Sequence, residues 1–300
     1  MHKDWSHMYK KSRFTFWTAS FAILTSLLMA SFPELVLAGI KVRQRGIPGR
    51  REPAGSRDPQ SCIAPNQKNA LVALVPPSNR SVTLAEYPTF LWYVPEHSAP
   101  SIDFELRDER NTTVLYKTTI ETQFIRDSKS RVVFYDEKGD PIEYGRNGKP
   151  VKSGRPRSIP GVLSLTIPGN AGVKALEVNK TYLWYFEVNC PELARKPGDK
   201  PADPEDNDIY VGGWIRRVAK PDLLSQIQNA KPEERLALLA AQGIWNETIS
   251  TLADLRRTNP QNQVYAKDWA DLLKSVELAD YAQEPLVNCC LPGKNQVSSR

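Results

Sequence analysis

The chain has 300 residues, with 40 lysine and arginine residues against 34 aspartate and glutamate residues, a formal charge of +6 at pH 7. Six of the basic residues lie between positions 39 and 60, a segment with two acidic residues and no aromatic residue. A nucleic-acid-binding face would combine basic with aromatic side chains. The composition therefore argues against a nucleic-acid partner. Residues 1–38 contribute +2 to the charge, and the remaining excess of +4 belongs to one arm.

The N-terminal residues predict export. Lys10, Lys11 and Arg13 precede an apolar run over residues 14–32, and small residues follow around Ala38. This order of charge, apolar run and small residues is typical of a secretory signal peptide, which we predict over residues 1–38. The alternative is an uncleaved membrane anchor, since a predominantly apolar run of 19 residues comes close to the length of a span. Either interpretation predicts a periplasmic, envelope or secreted protein.

Residues 39–69 predict an irregular basic arm, because they are rich in arginine, proline and glycine and have no periodicity. Residues 70–219 then predict a β-domain. Short runs of β-forming residues, several of them with alternating polarity, end at proline, glycine or asparagine. The seven predicted strands are residues 71–75, 89–94, 102–108, 113–120 and 161–167, the run around Tyr182 within 176–189, and residues 209–216.

The sixth predicted strand indicates which kind of β-domain this is. Tyr182, Trp184 and Phe186 alternate with a second set of side chains, as in a strand packed in a sheet. Leu176 and Tyr182 have the spacing of a tyrosine corner, in which the phenol hydroxyl bonds to backbone upstream. Together with the number of strands, this spacing predicts a β-sandwich of the immunoglobulin or fibronectin type III kind.

Residues 124–160 interrupt the strand pattern. They contain an imperfect repeat, in which Tyr135, Gly139 and Pro141 are matched by Tyr144, Gly148 and Pro150. Glycine and proline at fixed offsets mark tight turns, so the repeat predicts one or two small hairpins inserted into the domain. The insertion holds nine basic and five acidic residues. This charge suits either an anionic partner or a solvated loop.

Residues 220–280 predict helices, at about 221–228, 232–242, 247–258 and 263–278. Pro221 and Pro232 suit first helical turns, Gly243 suits a left-handed C-terminus, and Asn246 suits an N-cap. The spacing of Gly243, Trp245, Leu252, Leu255 and Pro260 resembles a tetratricopeptide helix pair. A single copy needs another surface to bury its apolar face, and we expect that surface to be the β-domain. Residues 281–300 form a cysteine-containing tail.

Four cysteines lie beyond the predicted signal peptide, and an even number in an oxidising compartment predicts disulfides. They are Cys62, Cys190, Cys289 and Cys290. In a sandwich of this type the first strand begins at the end where the sixth finishes, which favours a bridge between Cys62 and Cys190. The adjacent Cys289 and Cys290 would then pair with each other, stay free or bind another chain. Bridges from these two residues to Cys62 and Cys190 remain an alternative.

The residue types that carry catalysis or bind metals form no recognisable set. His97 is the single histidine after the signal peptide, and its loop context predicts a solvated side chain. Glu137 and Glu143 would suit a glycosidase only across a cleft. The acidic loop at 191–208 lacks calcium-loop spacing. No catalytic residue, metal or cofactor is therefore predicted.

Tryptophans are the remaining candidates for binding. Trp92, Trp184 and Trp214 lie in predicted strands and suit either the core or a platform for stacking sugars. In the helical region, Trp245 and Trp269 are candidate binding residues.

Several motifs in order along the chain resemble the cyanobacterial domain-of-unknown-function family 928. They are residues 71–78, 84–90, 176–186, 213–218, 243–260, 268–273 and 285–290. The resemblance implies an exported cyanobacterial protein without an assigned activity, and it transfers no catalytic residue. The insertion at 124–160 looks longer than the family's usual connection.

We therefore expect an exported, non-catalytic protein that binds another envelope protein or acts as a scaffold in the periplasm or cell envelope. One alternative is a carbohydrate-binding module that uses exposed aromatic residues. Another is an envelope hydrolase that uses paired carboxylates. Membrane association is expected only if the N-terminal segment stays uncleaved.

Overall fold

The computed structural model describes residues 51–52, 62–64, 67–170, 172–191 and 209–287. Within these ranges the chain belongs to the β + α class, with ten strands, four α-helices and one 3₁₀ turn, Ala279–Tyr281. The strands are β1 (Val72–Ala73), β2 (Arg80–Thr83), β3 (Thr89–Val94), β4 (Ser101–Asp108), β5 (Val114–Glu121), β6 (Phe134–Tyr135), β7 (Arg155–Pro156), β8 (Gly161–Thr166), β9 (Thr181–Asn189) and β10 (Ile209–Arg217). The helices are α1 (Pro221–Asn229), α2 (Pro232–Ala241), α3 (Trp245–Thr258) and α4 (Gln263–Ser275).

The strands form two large sheets and one small one. The first has the order β1-β3-β8, the second has the order β2-β10-β9-β4-β5, and β6 pairs with β7. All pairs are antiparallel except β2 with β10, which run parallel. Each of the seven predicted strands is present, and β2, β6 and β7 are additional.

The core lies between the two large sheets. Phe90 and Trp92 of β3 contact Phe104 of β4 and Trp184 and Phe186 of β9, and the rings of Trp92 and Phe186 stack at 4.2 Å. These side chains occupy alternate positions along their strands, as the period of two predicts. The predicted bond of Tyr182 is also present, since its hydroxyl accepts a hydrogen bond from Glu177 N at 2.7 Å.

The helices cover the other face of the three-stranded sheet. Leu91 and Tyr93, which alternate with the core residues of β3, pack in one apolar cluster with Leu252, Trp269 and other residues of α3 and α4. Strand β3 is thus buried on both faces, which explains its continuous run of apolar residues. The helices pack against the β-domain, as expected.

Most of the predicted helix ends are correct. Pro221 and Pro232 begin their helices, and Gly243 follows α2 with a φ of +65°. The cap predicted at Asn246 is wrong. Helix α3 was predicted to begin at residue 247, but it begins at Trp245, and Ile244 is its N-cap. The Asn246 side chain is instead buried and donates a hydrogen bond to the Thr89 carbonyl.

Glu247 joins α3 to the end of β2. Its Oε1 accepts hydrogen bonds from Thr83 Oγ1 at 2.5 Å, Leu84 N at 3.0 Å and Ala85 N at 2.9 Å. Its Oε2 is buried and has no partner among the described residues. Burial raises the pKa of Glu247, and the bonds from its three donors only partly offset that effect.

We predict that Glu247→Ala lowers the free energy of unfolding at pH 7 by about 2–4 kcal/mol, because two backbone N–H groups lose their acceptor. Glu247→Gln keeps the accepting oxygen and removes a buried charge, so it should lose less stability than Glu247→Ala. Urea titration of the three proteins measures both effects. An equal loss in both variants would contradict this explanation.

Candidate functional site: a cationic hairpin

The repeat within the insertion at residues 124–160 forms two short hairpins. Isolated antiparallel bridges join Tyr135 to Pro141 and Tyr144 to Pro150, at the same offset in each repeat. Gly139 and Gly148 turn the chain with φ of +88° and +73°, a region that glycine adopts without strain. One or two hairpins were predicted here, and the two repeats form one each.

Contacts with arginine hold the hairpins in place. The Arg157 guanidinium lies 4.2 Å from the centre of the Tyr135 ring, and the Arg131 guanidinium lies 4.1 Å from that of Tyr144. The side chain of Ile142, between the two turns, is buried. The tyrosine rings therefore anchor the insertion, and each has arginine on one face where a sugar or base would stack.

The base of the insertion is tied to the loop after β3. Ser158 N donates to the His97 carbonyl at 2.8 Å, and His97 N donates to Ser158 Oγ at 2.9 Å. An ion pair at 3.2 Å between Arg157 and Glu96 supports this joint. These paired contacts fix the direction in which the hairpins leave the β-domain.

Charge is distributed unevenly between the two hairpins. The first turn contains Asp136, Glu137 and Asp140 beside one lysine. Residues 145–155, which we call the cationic hairpin, contain four exposed basic residues and no acidic residue. The four are Arg146, Lys149, Lys152 and Arg155. Val151, in the same segment, is 62% exposed.

Three of the four cations form no ion pair with a described residue. Lys152 binds Asp136 at 2.6 Å, and this hydrogen bond lowers the pKa of Asp136 to about 2 and raises the pKa of Lys152. Both groups therefore stay charged at neutral pH. Arg146, Lys149 and Arg155 remain available to a partner. Such a surface attracts acidic groups over about 8 Å at physiological salt.

His97 is buried, which corrects the prediction of a solvated loop histidine. It is 3% exposed, and burial lowers its pKa to about 4 despite a hydrogen bond with the Ala99 backbone. The cause is tertiary, because Ser158 from the insertion and the segment at Cys62 close over the loop. The neutral imidazole is part of the joint that holds the insertion.

The predicted disulfide between Cys62 and Cys190 is present, with a Cα–Cα distance of 5.5 Å. It connects the segment before β1 to the end of β9. Cys289 and Cys290 lie outside the described residues, as do the predicted signal peptide, residues 39–50 of the predicted arm and the acidic loop at 192–208.

The structure places most of the candidate tryptophans in the core. Trp92 and Trp184 are each 1% exposed, so they contribute no ring to a platform for sugars. Trp269 is fully buried between α4 and the sheet, which corrects its assignment as a binding residue. Trp245 is half-buried, and its indole nitrogen donates to the Leu74 carbonyl at 2.9 Å. Trp214 lies near Arg80, with the guanidinium 6.0 Å from its ring.

The acidic residues weighed for hydrolysis lie on the hairpins. Glu137 and Glu143 are both exposed. In the part of the chain that the structure describes, no three His, Cys, Asp or Glu residues lie close enough together to hold a metal ion. None of the helices in these ranges is long and apolar enough to span a membrane.

Comparison with known proteins finds no match among curated proteins. A family model described as Domain of Unknown Function (DUF928) matches residues 52–135 and 146–286. The match includes most of the insertion and the four basic residues of the cationic hairpin, and it omits residues 136–145. The unmatched residues 136–145 lie inside the insertion, which was expected to be longer than the family's usual connection. The chain belongs to the family described as Domain of Unknown Function (DUF928).

Proposed function

We propose that this protein is an exported, non-catalytic binding module of the periplasm or cell envelope. In this proposal the cationic hairpin recognises an acidic surface on another envelope protein. The observation that carries it is the group of four exposed basic residues, without an acidic residue, on a hairpin anchored by Tyr135, Ile142 and Ser158. An anchored hairpin loses little conformational freedom on binding, which favours affinity.

The proposed fold for residues 70–219 is an immunoglobulin-like sandwich. The order β10-β9-β4-β5 corresponds to the sheet with strands G, F, C and C′ in that fold, and β1-β3-β8 corresponds to A, B and E. The hydrogen bond of Tyr182 to upstream backbone near the start of β9 also supports this proposal. The helical region at 220–280 is proposed to resemble a tetratricopeptide pair, on the spacing of residues 243–260 in α3 and its flanks.

Export is proposed on two grounds. The sequence of residues 1–38 has the order of a signal peptide. In addition, the bridge between Cys62 and Cys190 is the kind of disulfide that persists in oxidising compartments.

The proposal predicts that neutralising the cationic hairpin abolishes partner binding. The test variant changes Arg146, Lys149, Lys152 and Arg155 to glutamine. The matched control changes four other exposed basic residues, Arg110, Lys174, Lys267 and Lys274, to glutamine. Both variants lose the same charge, so a difference between them reports position rather than net charge.

Crosslinking pull-downs from envelope extracts of the native host measure the effect. We expect the parent and the control to recover the same partner, and the hairpin variant to recover less than about a tenth of it, since each surface cation contributes up to about 1 kcal/mol. Recovery that is equal for all three proteins, or absent for the parent, would contradict the proposal.

A further inference from the structure

Strand β5 is a long open edge. Seven of its eight residues pair with β4 on one side, Leu115 lies at a shift of register, and no described residue pairs with the other side. The remaining sheet edges are short or covered. Strand β2 has four residues and contacts α3, and β8 is bridged at Val162 by Leu286. An open edge is a template for pairing with a further strand.

The backbone of β5 shows which groups are available. Thr122 N donates to Pro100 O across from β4, so even-numbered residues of this stretch direct their N–H and C=O groups towards β4. In an antiparallel pair these directions alternate. Lys117, Thr119 and Glu121 therefore direct theirs towards the open edge. The side chains of these three residues are exposed.

We propose that two copies of this chain associate through β5, antiparallel, about a twofold axis at Thr119. This register places Lys117 opposite the partner's Glu121 at both ends, with the two threonines in the centre. All three pairs fall at positions whose backbone groups face the edge. The two five-stranded sheets then become one continuous sheet.

Charge selects this register over its neighbours. An axis at Thr118 would place Glu121 opposite the partner's Leu115 and would form no ion pair. An axis at Lys117 would place two lysines opposite each other, which is destabilising. Opposite charges across antiparallel strands are stabilising, and Glu121 forms no ion pair within the described chain.

The neighbouring side chains fit this arrangement. Lys117 Nζ lies 3.1 Å from Asp103 and 2.9 Å from Glu105 on β4, and its side chain is still 46% exposed. These contacts hold the ammonium group over the strand, where the partner's Glu121 would approach. At the start of β5, Val114 and Leu115 are 45% and 38% exposed. In the proposed register Leu115 lies opposite the partner's Gln123, so pairing would cover this apolar pair.

Sedimentation velocity of the purified full chain over a range of concentrations tests the proposal. We expect a dimer for the parent. Glu121→Lys places two lysine pairs across the axis and should weaken self-association on the order of tenfold or more. The matched control, Glu109→Lys, makes the same charge change in the exposed turn between β4 and β5 and should dimerise like the parent.

Two further variants separate the edge contact from a loss of folding. Thr119→Pro removes an N–H that faces the edge and leaves the hydrogen bonds to β4, so it should be folded and monomeric. The double variant Lys117→Glu with Glu121→Lys restores opposite charges and should recover dimerisation relative to Glu121→Lys. A parent that stays monomeric at all concentrations would overturn the proposal. A Thr119→Pro variant that is folded and dimerises like the parent would also overturn it, because the dimer would then not form through β5. The charges on β5 would in that case only protect the edge from pairing.

Discussion

Replacing Cys62 and Cys190 together by serine is expected to lower the free energy of unfolding by about 4–5 kcal/mol. The bridge spans 128 residues of sequence, and loss of loop-closure entropy in the unfolded chain grows with that span. Cys62 also packs in the core between the sheets. The bridge therefore ties the segment before β1 to the end of β9, and its loss should release that segment.

Urea unfolding of the parent and the double variant, each with and without a reductant, measures this effect. The parent should lose stability when it is reduced, and the variant should not respond. A parent whose midpoint does not change on reduction would contradict the prediction, provided that thiol counting shows the bridge to be open.

Acidification from pH 7 to pH 4 is expected to remove about 3 kcal/mol from the free energy of unfolding through His97 alone. Its pKa in the folded protein is about 4, against about 6.5 for an exposed histidine. The unfolded chain therefore takes up a proton first as the pH falls. The contribution of His97 is complete above pH 6.5 and is lost as the pH falls towards 4.

The control is His97→Leu, which places an apolar side chain of similar size at this position and cannot titrate. Between pH 6.5 and pH 5 most carboxylates stay charged. In this window the free energy of unfolding should therefore fall more steeply with decreasing pH in the parent than in the variant. Equal slopes for the two proteins would show that His97 is not held in its neutral form.

The strands and helices follow from local patterns that the sequence makes visible. Alternation in the sixth predicted strand placed Tyr182, Trp184 and Phe186 on one face of a sheet, and prolines marked helix starts. The hairpins followed from the spacing of glycine and proline. The disulfide was predicted from the order of strands expected in a sandwich, which would bring the two segments to one end.

The features that the sequence did not reveal depend on contacts between distant segments. His97 is buried by Ser158, which lies 61 positions later, and a loop histidine shows no local sign of such a contact. Strand β2 has the mixed sequence Arg-Ser-Val-Thr and exists because it pairs with β10. Trp269 was a candidate binding residue, and its packing against the sheet places the ring in the core.

The cationic hairpin depends both on a local sequence pattern and on contacts between distant segments. The sequence shows the excess of positive charge in residues 124–160. The structure divides this segment into two hairpins and thereby shows that the excess belongs to residues 145–155. The interaction between Lys152 and Asp136 joins residues 16 positions apart and is also tertiary. The available cations are therefore a property of the fold as well as of composition.

Site-specific photo-crosslinking in the native host tests the central claim most directly. A photoreactive residue at Val151, in the cationic hairpin, is compared with one at Val264 on α4, since the two positions are 62% and 61% exposed. The proposed function predicts that position 151 traps a discrete envelope protein and that position 264 does not. Equal trapping at both positions, or trapping at position 264 alone, would contradict it.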